Sequence, residues 1–155
     1  MNTKSGFMRG LVAGCAAGAV MDLIEYGVYR TYREPGLRSV DWLALIAGRR
    51  RPVFPFETLL WYGGHLLSAS FFGVSFTAAV PRAAEENPVL KGCIWAGFVW
   101  LLTQVFTKVF YRPVLSGLGW EDRIQHLVLA LIYGTVLGGS LHLMQKYCPG
   151  SEDNR

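Results

Sequence analysis

The sequence predicts an all-α integral membrane protein, a four-helix bundle made of two similar helical hairpins. Three observations predict it. The chain has 155 residues, 52% of them hydrophobic and only 17% charged, whereas a soluble domain carries about 25% charged residues. Four apolar runs reach the roughly 20 helical residues that cross a bilayer core. The second and fourth runs also share residues at identical spacing. A very apolar soluble bundle is the bland alternative, but soluble helices show a polar face and these runs mostly lack one.

Helix 1 is expected at about 7–29. Its run Gly10–Val28 is interrupted only by Asp22 and Glu25. Tyr29, Arg30 and a basic loop follow it, not a small-residue cleavage site, so it reads as a span and not a cleaved signal peptide. The loop opens with YREPG, a turn signal. SVDWLALIAG comes next, with Ser39 or Asp41 as N-cap and Gly48 as stop. A short helix lying in the interface is expected there, ended by the basic run RRRP.

The second span, about 56–80, has Glu57 and His65 as its only ionisable groups. PRAAEENP is a short polar connection to the third span, about 89–111, which carries Lys91 near one end and Lys108 near the other. The fourth span, about 122–145, carries His126 and His142. Residues 1–148 form one transmembrane domain, and 149–155 read as a disordered tail. Tyr29, Tyr32, Trp61, Tyr62, Tyr111, Trp120 and Tyr147 fall near the expected ends, as an aromatic belt does. Trp95 and Trp100 lie deeper.

Cys15, Cys93 and Cys148 form no CxxC pattern, and the first two read as small apolar fillers. The net charge of +4 is spread over loops. This speaks against nucleic-acid binding and suits anionic lipid headgroups. Nine of the fifteen Lys and Arg residues fall on the hairpin-loop side, so the positive-inside rule puts both termini outside. The partner that this composition implies is a lipid bilayer, in a multi-pass protein of the bacterial cytoplasmic membrane.

The repeat pairs His65-Leu66, Ala69, Phe72 and Gly73 with His126-Leu127, Ala130, Tyr133 and Gly134. Arg9-Gly10 with Ala13-Gly14 similarly matches Lys91-Gly92 with Ala96-Gly97, at the cost of one inserted residue. Parallel repeats of this kind imply a pseudo-twofold axis along the membrane normal. Gly10, Gly14 and Gly18 make an extended GxxxG stripe, and Ala130, Gly134 and Gly138 a second one. Small residues let helix backbones approach in lipid. Helices 1 and 4 are expected to pack through these stripes, within one subunit or across a homo-oligomer or membrane complex.

Asp22 lies one turn beyond Gly18, and Glu25 and Tyr29 share its side of the helix. An ionisable group facing lipid costs about 2.5–3.5 kcal/mol, so the acids are expected to face the bundle. Aligning the repeats sets Glu25 opposite Lys108. A polar pocket in the loop-side half is expected from Asp22, Glu25, His65, Lys108, Glu57 and His126. Three readings follow. The cluster responds to protons or binds a small polar ligand, since His and part-buried carboxylates titrate near neutrality. Alternatively it only fixes helix packing in a structural or assembly subunit. The third is a bis-His haem site using His65 and His126. No nucleophile–base pair, phosphate loop or metal motif occurs, so neither an enzyme nor a resident cofactor or metal is expected.

GLVAGCAAGAVMDLIEYG, GGHLLSASFFG, LKGCIWAGFVWLLTQVFTKVFYRPVL and WEDRIQHLVLALIYG together resemble the YagU and YqhR type of small bacterial inner-membrane proteins. The resemblance covers most of the chain. It implies Glu25, His65 and His126 as functional positions, and no defined reaction. Met21-Asp22 stands where that group tends to have Lys-Trp. The buried acids and histidines themselves lead to the expectation of a small stress- or pH-linked membrane protein.

Overall fold

Apolar segments satisfy their backbone polar groups most cheaply within a helix. In the computed structural model, which describes residues 3–32, 38–48, 54–80, 82–109 and 119–147, the described residues form five helices and no strand. They are α1 (Thr3–Tyr32), α2 (Ser39–Gly48), α3 (Pro55–Ala79), α4 (Pro88–Val109) and α5 (Trp120–Tyr147). The expected tail, the RRRP run and the Pro-containing exit after α4 lie outside the described residues.

Local chemistry sets the ends. α3 and α4 both start on a proline, whose missing N–H is no loss in a helix's first turn. Phe54 is extended before α3, and the chain is extended again at Val80, ahead of Pro81. Lys91 Nζ donates to the carbonyls of Arg82 and Glu85, at 3.0 Å each, and so ties the turn before α4 to that helix.

Three helices are long and apolar enough to cross a membrane, over Ser5–Thr31, Pro88–Phe106 and Trp120–Tyr147. The fourth expected span, α3, has the length at 25 residues. Its hydropathy falls below that of the other three, because Glu57, His65, several hydroxyls and glycines dilute its Leu and Phe.

α1 packs along α3 and α5, α4 packs along α5, and α2 packs on α3. The glycine stripes set two of these contacts. A Cβ on Gly73 would collide with the Gly10 carbonyl and the Gly14 backbone. One on Gly134 would collide with the Gly92 carbonyl, and one on Gly138 with the Pro88 carbonyl. Gly18 rests on the Ala69 side chain. Each stripe therefore seats the helix next to it in the antiparallel pair, α1 on α3 and α5 on α4. This corrects the expectation that the first and last spans join stripe to stripe within one subunit. Those two helices do touch, but Tyr133, Leu137 and Leu141 of α5 share the core with Ala13 and Ala17 of α1. Large side chains on one helix facing small ones on the other keep the axes further apart than glycine on glycine does.

Two side chains bind the α3 backbone from outside that first pair. Tyr133 Oη donates to the Ala69 carbonyl at 2.7 Å, and Trp95 Nε1 donates to the Phe72 carbonyl at 3.2 Å. Trp95 also lies between the rings of Phe76 and Phe98. Tyr133→Phe is expected to lower stability by about 1 kcal/mol, the range for one interhelical hydrogen bond in a membrane, as read by thermal unfolding in detergent. The outward face carries large apolar side chains, with Leu23, Leu59, Ile94 and Val109 mostly exposed, while small residues fill much of the interior.

Candidate functional site

Asp22 and Glu25 sit three residues apart on the α1 face that Gly18 turns toward α3. Both are buried, and Glu25 is only 2% exposed. A charge in that position needs a partner. The partner comes from α2. The first N–H groups of any helix lack an intrahelical acceptor. The Ser39 N–H donates to both Glu25 carboxylate oxygens at 2.9 Å, and Ser39 Oγ donates to Oε1 at 3.0 Å. A buried acid and an orphaned helix start thus satisfy each other, with the helix dipole favouring the negative charge.

The start of α2 is finished by its own residues. Arg38 holds the N-cap position, and its N–H donates to Asp41 Oδ2 at 3.1 Å, the reach-back of a capping box. The Arg38 guanidinium grips the same carboxylate through Nε and Nη2, at 3.0 and 3.1 Å. It also lies 5.0 Å from the centre of the Tyr29 ring. Asp41 beside it raises the Arg38 pKa above the ordinary guanidinium value, so the cation is fixed. Arg38 meets Tyr29 and Ser39 meets Glu25, one turn deeper, so the chain is travelling back down α1 as α2 begins.

Its first turns are then enclosed. Val40 and Ala44 are fully buried, and Leu43 faces Gly64 of α3. The expected surface helix is set between its neighbours for at least these turns. The expected N-cap is corrected too. Ser39 is a donor at the first helical position, and Asp41 is the residue that reaches back.

Across from α1, His65 Nδ1 lies 2.8 Å from Asp22 Oδ1. The two atoms are in ion-pair range but not aligned as a hydrogen bond, and neither has another hydrogen-bond partner. His65 keeps Nε2 available. Its ring lines a cavity of about 810 Å³ that His126, Thr103, Gln104 and Tyr133 also line. Tyr62 feels the charges of Arg38, Asp22, Glu25 and Asp41.

The residues that the sequence singled out therefore divide. Asp22, Glu25 and His65 come together, and His126 lies on another wall of the cavity that His65 lines. Lys108 is exposed, and the hydrogen bonds of Glu25 go to Ser39, which corrects the expected Glu25–Lys108 pairing. Glu57 is half-buried near the start of α3 and does not line the cavity. Arg38, Ser39, Asp41 and Tyr62 were not expected in the cluster. The signal for three of them was the RSVD stretch at the start of α2, which carries more polar groups than one cap uses. Among the described residues, no three His, Cys, Asp or Glu side chains are grouped to hold a metal ion. No family model, curated protein or solved structure matches the chain.

Proposed function

We propose that the chain is a small integral membrane protein of the bacterial cytoplasmic membrane, without catalytic turnover, in which a buried polar cluster couples protonation to the seating of α2. α3 serves as the fourth span. Its polar residues are tolerated because His65 turns to Asp22 and its glycine turns to α1. The outward Leu, Ile and Val side chains suit hydrocarbon. The contacts of Gly10 with Gly73 and of Gly92 with Gly134 occupy matching places in the two sequence repeats, which favours two like hairpins. This reading keeps the resemblance to the YagU and YqhR type as a proposal of kinship.

One observation carries the coupling: a single carboxylate, Glu25, receives both the first N–H and the hydroxyl of Ser39. Protonated, it offers fewer acceptor sites and adds a donor that Ser39's N–H does not need. The charged and titratable groups around it are Asp22 on α1, Arg38 and Asp41 at α2, and Tyr62 and His65 on α3.

Amide hydrogen exchange over residues 39–44, corrected for the intrinsic pH dependence, tests this. Protection is expected to fall about tenfold as pH drops from about 8 to about 5. Glu25→Gln, which imitates the protonated acid, should give low protection at every pH. A flat profile in the unaltered protein would leave the cluster as a structural fastening and end the proton-linked reading.

A further inference from the structure

The α3 and α4 backbones do not pack closely and meet through the Trp95 side chain. Trp95 spans the gap to Phe72, and the remaining space is the cavity of about 810 Å³. That volume lies in the range of small-molecule sites, about 300–1,000 Å³. Its imidazoles and its amide gather toward one end, among Met21 and Leu43. His65, Thr103, Gln104 and His126 line the half near the α3 and α5 starts, where α4 ends. Leu11, Phe72, Val74 and Val99 line the other half. Among the described residues, no Lys, Arg, Asp or Glu lines it, so the lining offers a charged group little direct counter-charge. Trp100, also in the wall, has an indole N–H shielded from solvent and without an acceptor.

We infer that this cavity binds a single-chain amphiphile with an uncharged, oxygen-bearing head, of the monoacylglycerol class. The hydrocarbon chain lies along the Leu11, Phe72, Val74 and Val99 half. The head oxygens meet His65 and Gln104, and an ester carbonyl reaching the wall gives the Trp100 N–H its acceptor. The contact of Asp22 with His65 Nδ1 holds that ring in the cavity wall. The inference rests on the membrane reading but not on protonation of Glu25.

The test uses the full chain in phosphatidylcholine nanodiscs and a stearoyl monoglyceride dibrominated on its acyl chain, since bromine quenches indole fluorescence on contact. Quenching is expected to saturate, and its saturable part should vanish in Trp100→Phe. The matching dibrominated lysophosphatidylglycerol should bind about tenfold more weakly. Ala130→Phe, which fills the cavity, and Gln104→Leu, which removes a head contact, should each weaken the monoglyceride about tenfold, with helicity and unfolding temperature as the check on folding. Quenching that only follows bulk partition, that is equal for the charged lipid, or that survives both substitutions in folded protein would overturn the inference. Sedimentation without detergent reads the membrane proposal separately.

Discussion

Gly73→Ala is expected to lower stability by about 2–3 kcal/mol, the upper part of the overpacking range. The added Cβ meets backbone on the other helix, the Gly10 carbonyl and the Gly14 nitrogen and Cα. Backbone cannot rotate aside as a side chain can. α1 and α3 must then separate along the contact that carries Gly14, Gly18 and Ala69, and dispersion is lost on both sides. Gly97→Ala is the matched control, since a Cβ there meets nothing within 4 Å. It should be neutral or stabilise by about 0.5–1 kcal/mol through lower backbone entropy in the unfolded chain. Reversible unfolding in mixed micelles measures both. Similar values for the two variants would show that close approach at Gly73 does not hold the pair.

Glu25→Ala has the other large effect, a loss of about 2–4 kcal/mol. Hydrogen bonds to a charged group contribute about 1.5–3 kcal/mol each, and the donors left behind at Ser39 are buried. Part of this is offset because a desolvated carboxylate has also been removed. Ser39→Ala removes one of the three bonds and should cost about 1 kcal/mol. A double-mutant cycle between the two positions should return a coupling of about 1 kcal/mol or more. Additive effects would mean that Glu25 does not fasten α2. The loss should also be local: exchange over 39–44 should rise well before the α1–α3 contact opens.

The legible part of the site was its burden, not its arrangement. Two carboxylates three residues apart, on the same face as a glycine stripe, must be buried together, and the sequence alone says so. Which groups answer them is a different matter. Helix phase and repeat alignment nominated Lys108, but an alignment of the long spans alone carries no information on α2, which lies outside it. The segment after α1 brings Ser39 back to the level of Glu25. His65 was legible because it is a lone imidazole at mid-helix in an apolar run, with Asp22 at a matching depth.

Apolar length, proline at helix starts and the spacing of small residues determined the helices, their limits to within a few residues and the faces that bear glycine. These are local properties, since every turn of a helix closes its own hydrogen bonds. Tertiary structure alone decided that α1's stripe seats α3 and not α5, that α2 sinks against α1 and α3, and that a cavity remains beside α4. Such choices depend on how side-chain volumes from separate segments interlock, and on which buried polar group finds the nearest unpaired one. No window along the chain contains that information.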